Sequence, residues 1–529
     1  MSYTESSLVW LDWVMIAGYI VGVLSLGWYY SKKQKNTNEY FVGTGKMNPI
    51  LIGVSLFATL ISTASYLSKP GEVIKHGPVL FTGLIFSIPL SYFIVGHWLI
   101  PFLMKQRITS AYELLEARLG IGIRLLGALM FILLRIVWMS LLVYFCAVAL
   151  TVIVGLDDRW TPLMVVIIGI IAITYTSLGG LFAVVYTDLA QFCLLTGGAI
   201  ITVLIITIES GGFSWWPTSW VSTWDTQPLF SFDPHVRVSL IGAVISGVVW
   251  KVCMAGGDQL PIQRFMATRD ARDARFSYGV NALVTFIVVL VLVVLGLALL
   301  GYYSANPQLL PQDMDLVRDA DKIFPYYIAN HLPMGIAGLV VAAMLAAGMS
   351  SLDSGINSIT AVVMTDFLDR FGLKPKSEKK HVLCAKGITF GTGFVVIIVS
   401  MYMKYMPGNF VEMTMRLANL LLPQNFGLFF LVFFVPFATP LGALMGVLYG
   451  FTASLMFSFW HIFTGLTPLS PQYVGATGMV MNIIVGCLVS YFGPRRESKK
   501  VSTLVALFLI GILILLVGVS IASASYNLD

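Results

Sequence analysis

Five small or hydroxyl-bearing residues share one face of a long apolar segment, from about residue 334 to residue 364. They are Ala347, Ser350, Ser351, Ser354 and Ser358, spaced as neighbours on one side of an α-helix. Asp353 lies at the edge of this face. Oxygen ligands on one stripe within hydrocarbon suit a hard cation such as Na+. The alternative is helix packing, because small residues and hydroxyls also let membrane helices approach closely and bond to each other.

The composition predicts an all-α polytopic membrane protein. Of the 529 residues, 57% are hydrophobic and only 11% are charged, and the mean hydropathy is +0.86. No soluble domain of this length has such a composition. We therefore expect residues 1–529 to form a single membrane unit in the lipid bilayer. The net charge of +6 follows from basic loops on one side of the membrane and does not indicate a nucleic-acid partner.

About fourteen membrane-spanning helices are predicted from the apolar segments. They cover residues 10–30, 48–68, 78–104, 121–154, 161–178, 186–208, 239–256, 277–302, 334–366, 382–405, 410–432, 440–463, 474–493 and 502–524. Lys and Arg are concentrated in the loops after the first, third, seventh, ninth and thirteenth spans. The positive-inside rule then predicts that the N-terminus and the C-terminus both lie outside.

Two predicted spans contain polar, glycine-bearing interruptions. The second span contains Ile61–Ser65 and runs into Lys69-Pro70-Gly71, and the seventh ends in residues 254–259. The two spans lie five apart. Interruptions at matched positions are typical of inverted-repeat transporters, whose ions and solutes bind where the helices are unwound. Either break alone would fit a simple kink.

Several motifs resemble the sodium/solute symporter family. The segment 174–191, TYTSLGGLFAVVYTDLAQ, is similar to the signature of that family, and NEYFVGTGKM at 38–47 is similar to its entry into the second span. SAYELLEAR at 110–118 and DQLPIQR at 258–264 are also similar. With the serine stripe, five motifs occur in the family's order over about residues 10–450.

This resemblance implies a fold and a class of function. The fold is the LeuT type, with inverted five-helix repeats over 48–208 and 239–432, and flanking helices at 10–30 and 440–524. The function is sodium-coupled symport of a small-molecule solute by alternating access. The implied location is the plasma membrane, or the inner membrane if the chain is bacterial, and we expect the protein to work as a monomer.

The resemblance also implies residues for sodium. The main site would use backbone carbonyls of Ala58, Ile61 and Ala347, with the hydroxyls of Ser350 and Ser351. A further site would use Asp188, Asp353 and Ser354, together with Ser350. Asp353 departs from the family, in which Ser or Thr is common at this position. It would bind a second ion, carry a proton if burial raises its pKa, or pair with an arginine.

Cations inside predicted spans point to the solute. Arg135, Lys251 and Arg416 lie in the fourth, seventh and eleventh spans, where a charge is costly and usually faces a partner or a transport pathway. By resemblance these spans border the solute cavity. Leu84 stands where sugar-transporting or sialic-acid-transporting members carry Glu or Gln, and Met254 replaces an aromatic gate. Ser62 and Ser65 are further candidate solute contacts.

These residues favour an organic anion, such as a monocarboxylate or a sugar acid, because cations match carboxylates and the cavity has no acidic acceptor for sugar hydroxyls. The alternatives are a sugar or sialic acid as the solute, or cations that simply pair with nearby carboxylates. A non-transporting sensor or a channel of the same fold is an alternative of another class. An enzyme is not expected, because the six histidines show no catalytic grouping.

Overall fold

A computed structural model describes residues 8–31, 47–60, 63–106, 110–226, 228–373, 375, 377–405 and 410–493. Within these ranges all regular structure is helical. The predicted ligands Ile61 and Ser62, the side chain of Ser350 and the predicted last span at 502–524 lie outside what it describes.

Seventeen helices, named here in chain order, make up the described bundle. They are α1 Trp10–Ser31, α2 Pro49–Leu60, α3 Thr63–His76, α4 Val79–Met104, α5 Glu113–Leu119, α6 Ile121–Ile153, α7 Thr161–Glu209, α8 Leu240–Gly257, α9 Gln259–Met266, α10 Ala271–Ala305, α11 Ala320–His331, α12 Ile336–Asp369, α13 Glu378–Tyr402, α14 Phe410–Phe434, α15 Pro440–Ser458, α16 Trp460–Thr464 and α17 Val474–Phe492. Helices α4 and α12 each contain a π-helical turn, at Val95–Leu99 and Val363–Asp369.

The described part contains ten helices, or eleven counting one bent pair, that are long and apolar enough to cross a membrane. The full set of fourteen predicted spans therefore stays a prediction. One boundary differs clearly, because 161–178 and 186–208 are predicted as separate spans while α7 is continuously helical over 49 residues. At 1.5 Å per residue an uninterrupted helix of this length would measure about 74 Å, more than twice the ~30 Å thickness of the hydrocarbon core.

Both predicted interruptions are present in the structure. Helices α2 and α3 meet at an angle of 60° around the break, and α3 continues through Pro70 to His76, well beyond the predicted end of the span at residue 68. Helix α8 ends at Gly257, and Asp258 is extended and caps α9 by accepting a hydrogen bond from the Leu260 amide at 2.9 Å. The two breaks leave half-helix ends inside the bundle, where backbone groups lack partners within their own helix.

Helix α1 positions the start of α12, which carries the serine stripe. The buried carboxylate of Asp12 accepts hydrogen bonds from the Gly335 and Gly338 amides, each at 2.8 Å. A side chain at Gly338 would come within 2.5 Å of the Asp12 backbone, so α1 and α12 approach closely at this point. Helix α12 also contacts α2, α6 and α7, and is buried over most of its length.

Candidate functional site

The break in the second span lies against the serine stripe of α12. The Ser351 hydroxyl donates to the Thr59 carbonyl oxygen at 3.1 Å, and Thr59 is in the last turn of α2, where backbone carbonyls point past the helix end. Ala58, Ala347 and Ser351 are at most 5% exposed. The structure thus places Ser351 against the end of the helix that carries Ala58, and Ala347 lies one helical turn before Ser351 on α12. Carbonyl and hydroxyl oxygens at a half-helix end are a donor set that fits Na+.

A buried arginine contacts this junction directly. The Arg264 guanidinium donates hydrogen bonds to the hydroxyls of Ser55, at 3.0 Å, and Ser354, at 2.8 Å, and also to the Thr59 hydroxyl. It forms an ion pair with Asp188, whose carboxylate oxygen is 3.7 Å away and also accepts a hydrogen bond from Ser55. Both charged side chains are at most 1% exposed. The pair is therefore a buried fixed charge balanced by a carboxylate.

The predicted end of the seventh span at residue 256 puts Arg264 in the basic loop that follows it, and this placement is wrong. The residue belongs to α9, which is buried along most of its length behind the second break. Its guanidinium contacts Asp188 and Ser354, two residues predicted to form a further sodium site. A positive charge at this position opposes the binding of a second cation to the same oxygens.

Asp353 also belongs to that predicted site. It is completely buried on α12, next to Ser354. The carboxylate that pairs with Arg264 is Asp188. Farther along the same stripe, the Ser358 hydroxyl donates to the Gln263 side-chain oxygen at 3.1 Å. The stripe thus contacts α2 at one level and α9 at the next, so it joins both halves of the predicted repeat.

A cavity of about 230 Å³, large enough for a small organic solute, opens beside the break. Leu60 and Ser65, which flank the break, both line it. Its other polar lining residues are Ser68, Lys69, Ser91, Ser246, Lys251, Tyr278, Asn281, Thr285, Thr414 and Asn419. Among the described residues, no Asp or Glu lines this cavity. The described basic side chains that line it are the lysines Lys69 and Lys251.

Lys251 lies in the cavity as the sequence predicts, and its position depends on close helix packing. Its ammonium donates to the Ser87 hydroxyl at 2.6 Å, and this hydroxyl in turn donates to the Leu84 carbonyl. Gly247, one turn before Lys251, faces Ser87, and a Cβ at Gly247 would lie 2.8 Å from the Ser87 Cβ. Only glycine lets α4 and α8 approach this closely, so Gly247 fixes where the ammonium is anchored.

The sequence interpretation missed Lys69 and Trp250. Lys69 lines the same cavity as Lys251, but the predicted second span ended one residue before it. The signal was present, because a lysine directly after a helix break inside a membrane is a candidate ligand-binding residue. Trp250 and Trp138 both line the cavity, with their ring centroids 5.7 Å apart.

The other predicted solute contacts fall into two groups. Ser65 and Met254 line the cavity. Arg135 instead forms a buried ion pair with Asp258 at the second break, and one of its nitrogens is 3.8 Å from the Met254 sulfur. Arg416 donates to the Ser458 carbonyl at 2.7 Å, near the end of α15. Neither arginine is among the residues that line the cavity.

Ion pairs join the helices at one end of the bundle, where α3 ends and α8 and α14 begin. Arg237 pairs with Glu72 at 2.5 Å, with Asp225 at 3.0 Å and with Glu412 at 3.3 Å. His76 is 3.3 Å from the other oxygen of Asp225. Burial opposes ionisation of Asp225, but the hydrogen bonds from His76 and Arg237 outweigh it and lower its pKa. This arrangement links α3, the loop before α8, and α14.

A second set of ion pairs joins α5, α6 and the end of α12. Arg124 at the start of α6 pairs with Asp366 at 2.7 Å and with Glu116 at 2.6 Å. Arg370 also pairs with Glu116, and its hydrogen bonds are the main cause of the lowered pKa of that carboxyl. The end of α12 is thereby tied to α5 and α6.

Comparison with known proteins decides the class of this helical bundle. Residues 40–450 match the sodium:solute symporter family. The chain belongs to this family. Like the other members of the family, this protein is a multi-pass membrane transporter and not an enzyme. Sodium is its coupling ion.

Among its relatives, the chain is similar to a sodium/sialic acid symporter of Proteus mirabilis, with 30% identity over 406 residues that cover 74% of this chain and 78% of the relative. It is also 28% identical to the human sodium-coupled monocarboxylate transporter 1, over 74% of this chain and 63% of that protein. A solved structure of a Na+-coupled sialic acid symporter, in a substrate-bound outward-open state, matches with a TM-score of 0.77 and 27% identity, covering 93% of this chain and 99% of that one. The fold of this sodium:solute symporter is therefore that of a known transporter.

Proposed function

We propose that this symporter uses the sodium gradient to import a small solute that carries a carboxylate, through the cavity lined by Lys251. The observation that carries the proposal is the charge of this cavity, which contains ammonium groups and, among the described residues, no acidic side chain. Because burying a charge inside a membrane protein is costly unless it is compensated, an anionic solute is the ligand that best matches it.

The relatives favour the alternative of a sialic acid over the monocarboxylate or other organic anion that the sequence predicts first. Sialic acid is itself a sugar that carries a carboxylate, so both named substrates of the relatives fit a cationic cavity. The sialic acid symporter matches more of its own length than the monocarboxylate transporter does. The amides of Asn281 and Asn419 and several serine hydroxyls line the cavity as well, and they suit the hydroxyls of a sugar acid.

Coupling follows from the shared break. Thr59 accepts the hydrogen bond from Ser351 at the predicted main sodium site, while Leu60 and Ser65 line the cavity. Sodium bound between α2 and α12 would fix the geometry of the break, and with it one wall of the solute cavity. The affinity for the solute then rises when sodium is bound. By thermodynamic linkage, the bound solute raises the affinity for sodium by the same factor.

We propose that one coupling sodium ion binds at the main site, formed by Ala58, Ile61, Ala347, Ser350 and Ser351. The Asp188 and Ser354 oxygens are already engaged by Arg264. In the orientation predicted from the basic loops, the Arg237 ion pairs lie outside and the Arg124 ion pairs inside. They would open in turn during alternating access. We further propose that the protein works as a monomer in the plasma membrane, or in the inner membrane of a bacterium.

The test is the thermal stability of the purified protein in detergent, with N-acetylneuraminate as the probe. We expect stabilisation by this sugar acid in sodium chloride and none in choline chloride. Lys251→Ala should abolish the effect of the sugar acid and keep the stabilisation by sodium alone. Arg416→Gln is the matched control, because Arg416 binds a backbone carbonyl away from the cavity, and its response should equal wild type. Unchanged solute affinity in Lys251→Ala would refute the assignment.

A further inference from the structure

The central cavity contains a second lysine, Lys69. A solute with a single carboxylate, bound by Lys251, leaves it without an anionic partner. Lys69 and Lys251 reach the cavity from different helices, α3 and α8, and both line it. When both are protonated, Lys251 acts on Lys69 as a like charge. Two ammonium groups in one largely apolar cavity repel each other and are poorly solvated.

The carboxylates nearest to these lysines along the chain are already engaged elsewhere. Glu72, one turn after Lys69, is fully buried and pairs with Arg237. Asp258, two turns after Lys251, pairs with Arg135. Lys251 donates to the Ser87 hydroxyl, which is neutral. In the described part of the chain, neither lysine forms an ion pair with a carboxylate, so a negative charge that pairs with either of them in the cavity has to come from the solute.

The rest of the wall adds dipoles but no negative charge. The groups that face the lysines are hydroxyls such as Ser68 and Thr285, the amides of Asn281 and Asn419, and the rings of tryptophan residues. The Asn281 side-chain oxygen is buried and accepts no hydrogen bond in the described structure. It is therefore available to a hydroxyl of the solute.

We infer that the solute of this cavity is a dianion, with two carboxylates or a comparable pair of anionic groups, and that Lys69 binds the second group while Lys251 binds the first. The inference rests on the proposed function, which requires only one carboxylate. A dianion removes the repulsion between the lysines and compensates both charges, whereas a monoanion leaves one buried ammonium unpaired. Hydroxyls between the two acid groups, as in an aldaric acid, would meet Asn281.

The experiment compares matched acids that differ in one carboxylate. The thermal stability of the full-length protein is measured in sodium chloride with galactarate against galactonate, which have six carbons each, and with succinate against butyrate, which have four. We expect the apparent affinity for each dianion to exceed that for its monoanion at least about 30-fold, because leaving one partner of a buried charge pair uncompensated has about that effect.

Two variants then locate the second charge. Lys69→Met keeps the length of the side chain and removes its charge, so it should abolish the preference for the dianion in both pairs of acids. Stabilisation by sodium alone, measured in the same samples, shows that the variant is folded. Lys251→Met should lower the apparent affinity for every one of the four acids. Should Lys69→Met fail to fold, the wild-type comparison still decides the inference.

The possible outcomes distinguish a failure of the dianion inference from a failure of the proposed function. Dianion preference in wild type that is lost in Lys69→Met supports the inference. Equal or tighter binding of the monoanions overturns it and leaves the proposed function standing, as does a dianion preference that survives in Lys69→Met. If no acid of either kind stabilises the protein in sodium, the proposed function itself is refuted, and the inference with it.

Discussion

Removing the charge of Arg264 should make the protein depend more strongly on sodium. The guanidinium nitrogen and the Asp188 oxygen are 3.7 Å apart in a fully buried setting. At an effective dielectric constant of about 20, this distance gives an attraction of about 4.5 kcal/mol. Taking away one partner of a buried pair typically costs about 3–5 kcal/mol, since the other charge stays buried without compensation. Arg264→Gln should therefore destabilise the sodium-free protein strongly.

Sodium should restore part of this loss. In Arg264→Gln the oxygens of Asp188 and Ser354 no longer surround a fixed cation, and sodium can take its place. Sodium at 100 times its Kd for this new site would return about 2.7 kcal/mol. The sodium dependence of stability should then show two ions where wild type shows one.

The assay is a double-mutant cycle of apparent Tm, measured in detergent with sodium chloride or choline chloride at equal ionic strength. The variants are Arg264→Gln, Asp188→Asn and the double variant. We expect the double variant to be less destabilised than the two single effects predict together, because both members of the pair are removed. Additive effects, or an Arg264→Gln response to sodium identical to wild type, would refute the view that Arg264 occupies a cation site.

Three further outcomes follow from other contacts. Ser351→Ala removes the hydroxyl that bonds the Thr59 carbonyl at 3.1 Å, so the sodium concentration for half-maximal stabilisation should rise about 10-fold; Ser351→Thr should stay close to wild type, and an unchanged value in the alanine variant would contradict the site. Gly247→Ala places a Cβ against the serine that anchors the cavity lysine, and it should lower both stability, by about 1–3 kcal/mol, and anion affinity; a wild-type solute response would show that this packing is unimportant. Burial raises the pKa of Asp321 to about 7, although the hydrogen bond from the Phe410 amide opposes this effect; the folded protein then keeps a proton that the unfolded chain releases, so stability should fall as pH rises from about 4 to about 7. Asp321→Asn should flatten an unfolding curve measured over this window, and an unchanged pH dependence would exclude Asp321 as its source.

The local features of the site could be predicted from the sequence. The serine stripe of α12 has a helical spacing, and in the structure the Ser351 hydroxyl contacts the last turn of α2. The break after Leu60 was marked by polar residues in an apolar run, and Lys251 faces the cavity as its charge suggests. Each of these depends on a pattern within one segment, which hydropathy and spacing record directly.

Features that depend on contacts between distant segments could not be predicted in the same way. Nothing in the motif at 258–264 shows that Arg264 turns back into the bundle to reach Asp188. The pairing of Arg135 with Asp258 joins residues more than 100 positions apart. Lys69 was missed because a span boundary derived from hydropathy excludes the first charged residue, although α3 continues past it.

Sodium-driven accumulation in proteoliposomes tests the central claim most directly. The full-length protein is reconstituted, and uptake of labelled N-acetylneuraminate and galactarate is followed under an inward sodium gradient. The account predicts accumulation of at least one of these acids above its external concentration, and loss of this accumulation when a sodium ionophore collapses the gradient or when Lys251 is replaced by alanine. If the uptake of each acid is the same in a potassium gradient as in a sodium gradient, the claim of sodium-coupled transport is contradicted.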